Sequence, residues 1–255
     1  MISHWLFLRG LTREQRHWGT FPSTLMGAIP DGHAHLLDLP GFGTEHHRPA
    51  PPTIEATTED TRERWLRLRD AHPGPWHLVA ISLGGMVAQQ WVYAHPRDFQ
   101  HVVLINTSAS NVSTPWERMS LSALSDVARA VMTSDLRTRE QIILRLTTRL
   151  QGDRASSLAE EWARYATEHP VSVRNAAVQL VAASTWRAPR ALPVPTLVLT
   201  SQQDGLVSTV CSHKLAARYG AELRIHPEAG HDLPADAPEW VAQQIADFTQ
   251  QRAAA

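Results

Sequence analysis

Three residues of this 255-residue chain have the types and placement that covalent acyl transfer requires: a serine, an aspartate and a histidine. Ser82 lies in the segment HLVAISLGGM, where an apolar strand is followed by the serine and then by glycines that begin an apolar helix. So sharp a turn needs small residues two positions before and two after the serine, and Ala80 and Gly84 are small. The segment predicts Ser82 as a nucleophile, and an ordinary turn without chemistry is the alternative on this motif alone.

A serine hydroxyl becomes an effective nucleophile when a base removes its proton, and a third group orients that base. Asp204 follows an apolar strand in LVLTSQQDGLV, and His231 follows Gly230 in the loop before the last predicted helix. We predict His231 as the general base and Asp204 as the acid that orients it. Taken singly, each is an ordinary loop residue; the joint placement of all three after strands favours the catalytic interpretation. Asp38 precedes the serine and is interpreted as structural.

The elements that position these residues follow from hydrophobic patterning. Short apolar runs bounded by turn residues predict six buried strands, at 5–8, 35–39, 77–81, 102–105, 196–200 and 222–225. Helices are predicted between most of them, including 53–71, 84–94 and 235–251. Strands that alternate with helices indicate an α/β fold with a mainly parallel, twisted sheet flanked by helices.

The alternation is interrupted once. Residues 110–187 have no strand pattern and are predicted to form helices at 115–132, 138–150, 156–168 and 171–186. We interpret this insertion as a helical lid on a core formed by 1–109 and 188–255. Trp116, Trp162 and Trp186 in the lid are compatible with an apolar acyl pocket, and Trp116 is a candidate substrate contact. Packing between helices is the alternative, which we favour for at least two of the three.

These features resemble the α/β-hydrolase fold superfamily across nearly the whole chain. The resemblance rests on the segments 8–11, 37–43, 80–85, 204–207 and 230–232. LDLPGFG at 37–43 and DGLV at 204–207 are also similar to carboxylesterases that hydrolyse pimeloyl-carrier methyl esters. The superfamily order of nucleophile, acid and histidine matches Ser82, Asp204 and His231. An alternative acid position falls in INTS at 105–108, which has no carboxylate.

The resemblance also implies two backbone N–H groups that stabilise an oxyanion. One is that of Leu83, directly after the serine, and the other is that of Leu11, in the loop LRGL after the first strand. Arg9 stands where the superfamily often has histidine. We favour a structural arginine that donates to backbone carbonyls, and the alternative is that it binds an acidic substrate. The superfamily often has two strands before the first one predicted here, and we expect a sheet without them.

The function implied is hydrolysis of a carboxylic ester or thioester by a Ser-His-Asp enzyme through an acyl-enzyme. The substrate would be a small-molecule acyl ester or thioester, carrier-linked substrates included, with no cofactor and no metal. Serine at the nucleophile position argues against haloalkane dehalogenases and epoxide hydrolases, which use aspartate there. Carbon–carbon bond hydrolysis, cofactor-free haloperoxidase-like activity and acyl transfer remain open, as does a ligand-binding protein without turnover.

Composition limits the other function classes. The chain has 24 Lys and Arg against 25 Asp and Glu, and this balance argues against a nucleic-acid partner. Its one cysteine excludes an intramolecular disulfide, and no apolar run is long enough to span a membrane. The first residues are predicted to form a strand rather than a signal peptide. We therefore expect a cytoplasmic protein without a membrane partner.

Overall fold

A six-stranded sheet forms the centre of the protein, whose computed structural model describes residues 2–253. The strands are β1 (Ser3–Leu8), β2 (Gly32–Leu37), β3 (Trp76–Ile81), β4 (His101–Ile105), β5 (Thr196–Ser201) and β6 (Glu222–His226). They lie in the order β2-β1-β3-β4-β5-β6, and every neighbouring pair is parallel. The six predicted strands and the α/β-hydrolase fold are confirmed.

Helices cover both faces of this sheet. In chain order they are α1 (Phe21–Ala28), α2 (Ile54–Ala71), α3 (Leu83–Ala94), α4 (Pro115–Arg118), α5 (Leu121–Met132), α6 (Leu136–Thr147), α7 (Gly152–Glu168), α8 (Val173–Thr185), α9 (Thr209–Tyr219), α10 (Leu233–Asp236) and α11 (Pro238–Ala253). Helices α1 and α11 pack on one face, and α2, α3 and α9 on the other. In residues 2–253, no helix is both long and apolar enough to cross a membrane.

The alternation of side chains along β1 explains this two-sided core. Trp5 and Phe7 are buried with residues of α1 and α11, whereas Leu6 and Leu8 are buried with residues of α2 and α3. Successive side chains of a strand point to opposite faces, so a strand covered on both sides must be apolar throughout. Burial of each such side chain contributes roughly 1.5–3 kcal/mol to stability.

The second strand lies earlier than its predicted position at 35–39. The chain leaves the sheet at Asp38, whose carboxylate accepts hydrogen bonds from the amide of Gln15 (2.6 Å) and from the amide (2.8 Å) and hydroxyl (3.0 Å) of Thr44. These bonds hold the next turns of the chain outside the sheet. Asp38 therefore has the structural role expected of it.

Two predicted helices are each divided in the structure. The stretch 115–132 forms α4 and α5, because the hydroxyl of Ser120 accepts the amide proton of Ala123 (3.1 Å) and caps a new helix. The C-terminal stretch forms α10 and α11, which separate at Ala237. The following Pro238 disfavours the helical conformation at that residue. Because α4 and α5 replace one predicted helix, the insertion between β4 and β5 contains five helices, α4 to α8.

Two neighbouring histidines of the sheet, the buried His77 in β3 and the half-buried His101 in β4, yield a test of stability against pH. The Nδ1 atoms of His77 and His101 lie 3.0 Å apart, and their rings are stacked. Burial, followed by the nearby His101, lowers the pKa of His77 from 6.5 to about 3. As pH falls below about 6.5, the unfolded chain binds a proton at this position that the folded chain does not bind, and stability is lost.

We expect His77→Gln to reduce the fall in unfolding free energy between pH 7 and about pH 4, by up to about 1.4 kcal/mol per pH unit. Urea unfolding at several pH values measures this slope. His47→Gln, at an exposed histidine, is the control and should leave the slope unchanged. An identical slope in wild type and His77→Gln would contradict the prediction.

Candidate active site

Ser82 lies at a sharp turn between β3 and α3. Its backbone is left-handed, with φ 57° and ψ −119°, which is costly for a residue other than glycine. A Cβ built on Gly84 would lie 2.5 Å from the carbonyl oxygen of Leu8 and 2.6 Å from that of Arg9. Ala80 is fully buried. The small residues on either side of Ser82 are therefore imposed by packing.

The loop after β1 lies directly against Ser82. A Cβ on Gly10 would lie 3.1 Å from the Cβ of Ser82 and 3.5 Å from its Oγ. Within residues 2–253, the amides of Leu83 and Leu11 have no hydrogen-bond acceptor. The Leu83 amide is the first of α3, where helical amides have no partner within the helix. Leu83 follows the serine and Leu11 follows Gly10, so these two N–H groups are the candidates to stabilise a negative charge that develops on a substrate oxygen.

Asp204 and His231 are joined by a hydrogen bond. Asp204 lies in the loop after β5 and His231 in the loop after β6, and 2.7 Å separates Oδ2 of the aspartate from Nδ1 of the histidine. Oδ1 of Asp204 accepts the amides of Leu206 and Val207, at 2.8 Å each. The carboxylate is thus fixed on both oxygens, and it leaves Nε2 of the imidazole as the nitrogen that can accept a proton.

Ser82 and His231 line one cavity of about 340 Å³. No hydrogen bond joins Ser82 Oγ to the imidazole in the described part of the chain; bonds of this kind often shorten only when substrate binds. Aliphatic side chains of the inserted helices form much of the wall. They are Val127, Ala130 and Val131 of α5, Ile143 and Leu146 of α6, and Ala176, Ala177 and Leu180 of α8. A cavity of this kind suits an aliphatic group placed next to Ser82.

Residues 5–244 match the model of the alpha/beta hydrolase family. The chain belongs to this family. It is 25% identical over 201 residues to the pimeloyl-[acyl-carrier protein] methyl ester esterase of Citrobacter koseri, a match that covers 77% of this chain and 75% of that protein. It is 31% identical over 104 residues to the biotin biosynthesis bifunctional protein BioHC of Teredinibacter turnerae. That match covers 40% of this chain and spans only 17% of the larger protein.

Solved structures support the same fold. The 2-hydroxy-6-oxo-6-phenylhexa-2,4-dienoate hydrolase of Rhodococcus sp. strain RHA1 superposes with a TM-score of 0.75, at 19% identity over 98% of this chain and 91% of that one. The superposition shows that the two share a fold, and at so low an identity it carries no further conclusion about the reaction. The family assignment made from sequence is therefore confirmed, and the chemistry has to be argued from the site.

Asn106 connects the end of β5, which precedes Asp204, with the loop of this hydrolase that carries His231. It follows β4, is 1% exposed and has φ 44°. Its Nδ2 donates to the carbonyl oxygen of His231 (2.7 Å) and to Oγ of Ser201 (3.0 Å), while its Oδ1 accepts the amide of Ser201 (3.0 Å). The stretch that lacks an alternative acid thus holds an asparagine that fixes the histidine loop. Its position at a strand end was the only signal for it in the sequence.

The C-terminal end of α6 contacts the same histidine loop. The amide of Asp232 donates to the carbonyl oxygen of Thr147 (2.6 Å). The carboxylate of Asp236 accepts the amides of Gly230 (2.7 Å) and Arg149 (3.0 Å). Burial raises the pKa of Asp236, and these hydrogen bonds oppose that rise. The inserted helices are therefore attached to the loop that presents the imidazole.

Arg9 lines the cavity, as a substrate contact would, but its charge is already paired. Nη1 and Nη2 donate to Oδ1 and Oδ2 of Asp232 at 3.0 and 2.6 Å, and the two side chains are 5% and 4% exposed. The ring of Trp18 lies over the guanidinium, 4.8 Å from Cζ to the ring centroid. This arrangement fits the structural interpretation, with a carboxylate as acceptor in place of backbone carbonyls, and it does not fit the binding of an acidic substrate.

Trp116 lies outside the cavity. It is 69% exposed on the short helix α4, which is held against α9 because Glu117 accepts hydrogen bonds from Nζ of Lys214 (2.8 and 2.9 Å). The structure therefore does not bring Trp116 to Ser82. Trp162 and Trp186 are 2% and 3% exposed, in agreement with the expected packing role. No group of three or more His, Cys, Asp or Glu side chains within residues 2–253 could hold a metal ion.

We expect Asn106→Ala to lower the free energy of unfolding by about 2–4 kcal/mol, because buried polar groups of His231 and Ser201 lose their partner. The amide of Ser201 should also exchange faster with solvent. The control is Asn111→Ala, since the Asn111 side chain also forms two hydrogen bonds with backbone, to the carbonyl oxygen (3.0 Å) and from the amide (2.9 Å) of Ala188, outside the cavity lining. This variant should leave the hydrogen exchange of the Ser201 amide unchanged. A stability within about 0.5 kcal/mol of wild type would contradict the role of Asn106.

Proposed function

We propose that this protein is a serine hydrolase that cleaves a carboxylic ester or thioester through an acyl-enzyme intermediate. One observation carries the proposal: Ser82, held in a left-handed turn, shares a cavity with His231, whose ring is oriented by the buried carboxylate of Asp204. A nucleophile and a base that line one cavity, with an acid that orients the base, are the groups that acyl transfer requires.

In the proposed reaction, Ser82 Oγ attacks the carbonyl carbon of the substrate while Nε2 of His231 takes the hydroxyl proton. The N–H groups of Leu83 and Leu11 stabilise the oxyanion that forms. Collapse of this intermediate breaks the bond to the alcohol or thiol, which leaves with the proton from His231. Water, activated by His231, then attacks the acyl-serine; the acid is released and the serine regains its proton.

The helices between β4 and β5, the region 110–187, are proposed as the lid that sets acyl selectivity. Their aliphatic residues surround the cavity next to Ser82, and ligands bind at the carboxyl edge of parallel strands in such sheets. Within residues 2–253, no Phe, Tyr or Trp side chain lines the cavity, which favours a flexible aliphatic acyl chain over an aryl group. The name of the Citrobacter koseri relative, a methyl ester esterase for a carrier-linked acid, supports an ester and is compatible with a carrier-linked substrate.

Three alternative functions would give different results in activity assays. A carbon–carbon hydrolase would act on ketone substrates and an acyltransferase would prefer an alcohol or amine acceptor over water, although both would use Ser82. A ligand-binding protein without turnover would hydrolyse no ester and would not react at Ser82 with a fluorophosphonate. Ester and thioester panels, assayed beside this probe together with ketone substrates and with added alcohol or amine acceptors, separate these cases.

Replacement of Ser82 tests the nucleophile. We expect Ser82→Ala to fold normally and to lower kcat on a p-nitrophenyl ester by a factor on the order of 10⁴ or more, because only binding and oxyanion effects would remain. Fluorophosphonate labelling should disappear with it. Ser110→Ala, a serine outside the cavity lining, should keep both activity and labelling. Wild-type turnover by Ser82→Ala would exclude the proposed mechanism.

A larger residue in the cavity tests the lid. Ala130 of α5 is 4% exposed and lines the cavity, so Ala130→Phe places a ring where the acyl chain would lie. We expect kcat/KM for the longest accepted acyl chain to fall by at least about tenfold while short esters change little, since each methylene in an apolar pocket is worth roughly 10-fold or more.

The matched control is Ala128→Phe, which adds the same ring to the exposed side of α5. It should leave the chain-length profile as in wild type. A profile that Ala130→Phe does not change would show that the acyl chain lies elsewhere.

A further inference from the structure

A direct contact joins two loops that the sheet keeps far apart. Arg9 follows β1 and Asp232 lies in the loop after β6, and β3, β4 and β5 lie between these strands. With neighbouring strands about 4.8 Å apart, β1 and β6 are separated by about 19 Å. Backbone hydrogen bonds in the sheet therefore fix the spacing of the two loops only through three intermediate strands, whereas the Arg9–Asp232 pair connects the loops directly.

The pair has one well-defined geometry. Each carboxylate oxygen of Asp232 accepts one terminal nitrogen of Arg9, which is the bidentate arrangement that a planar guanidinium favours. Trp18 packs over the guanidinium, and both charged side chains are almost fully buried. Such a contact restrains orientation as well as distance, which an apolar contact of the same size would do less strictly.

Each partner is close in sequence to a group used in the proposed reaction. Arg9 precedes Leu11, whose N–H is a proposed oxyanion donor, by two residues, and its carbonyl oxygen packs against Gly84 in the first turn of α3. Asp232 directly follows His231, and its amide is held by Thr147 of α6. The pair thus sets the position of the loop after β1, which carries the Leu11 N–H, relative to the imidazole of His231.

From this geometry we infer that Arg9 and Asp232 are positioning residues for the hydrolysis proposed above, on which the inference rests. Their charged groups bond to each other rather than to Ser82 or to the imidazole of His231. Their ion pair holds the loop that carries the Leu11 N–H at the distance from His231 at which one tetrahedral intermediate can meet both groups. Misplacement of a reacting group by about 1 Å can lower the rate on the order of 10²-fold.

The test compares Arg9→Ala, Arg9→Lys and Asp232→Asn with a matched ion pair elsewhere. Arg62 donates to both carboxylate oxygens of Asp98 (2.6 and 3.4 Å), well away from the cavity lining, so Arg62→Ala is the control. Circular dichroism and thermal unfolding give the folded fraction, and kcat is expressed per folded enzyme. We expect Arg9→Ala and Asp232→Asn to lower kcat about a hundredfold, with KM within about threefold of wild type. Arg9→Lys keeps the charge without the fork and should be intermediate.

Chemical rescue separates positioning from a purely structural role. Arg9 lines the cavity, so ethylguanidinium can reach the space that Arg9→Ala vacates. We expect it to raise kcat of Arg9→Ala at least about tenfold, while ethylammonium, which lacks the bidentate fork, has little effect. Neither compound should activate wild type, Asp232→Asn or Arg62→Ala.

Two results would overturn the inference while the proposed function stands. One is a wild-type kcat per folded enzyme in both Arg9→Ala and Asp232→Asn. The other is a kcat per folded enzyme of Arg9→Ala that falls but that ethylguanidinium does not raise. Failure of the proposed function has a different signature, because wild type and Ser82→Ala would then hydrolyse the ester equally slowly, and the inference would fail with it.

Discussion

The left-handed backbone at Ser82 is the constraint on which the arrangement of this site depends. A side chain at φ 57° can be held there only if the chain on both sides packs closely. Gly84 against the end of β1, and Gly10 against Ser82 itself, provide that packing without side chains of their own. The same contacts bring the loop after β1 next to the first amide of α3. One strained residue thereby determines where the serine, the two unpaired amides and the start of α3 lie relative to one another.

Most of what surrounds this turn could be predicted from local sequence. Apolar runs identified all six strands, and the positions of Ser82, Asp204 and His231 after strands predicted that they would meet, because parallel strands end at one edge. Hydrophobic periodicity gave the wrong boundary where a polar side chain ends a helix or strand. The hydroxyl of Ser120 divides a helix that periodicity alone continues, and Asp38 draws the chain out of β2 before its apolar residues end.

Long-range polar contacts were the part that the sequence could not reveal. Asn106 was noticed only as a position without a carboxylate, yet it connects the histidine loop, through the carbonyl oxygen of His231, with the end of β5, through the amide of Ser201. Arg9 was expected to meet backbone carbonyls, and its partner is a carboxylate 223 residues away. No periodicity connects such residues, since their proximity follows from the complete packing of the sheet and its loops. A tryptophan such as Trp116 is misjudged for the converse reason: its size suggests burial, and its short helix leaves it in solvent.

The charged side chains that line the cavity are joined by ion pairs. Arg9 is bound to Asp232, and Glu140 of α6 accepts hydrogen bonds from Arg13 (2.7 Å) and Arg139 (3.4 Å). Burial of such pairs costs desolvation that apolar residues of similar volume would avoid, so their contribution to stability alone is a weak reason for their presence. What they add is direction, because a carboxylate and a guanidinium meet in few geometries. One pair connects the loop of the proposed oxyanion donor to the histidine loop, and the other connects it to the inserted helices. The loop after β1 therefore contacts both the histidine loop and the inserted helices, and it fixes the positions of both relative to the sheet.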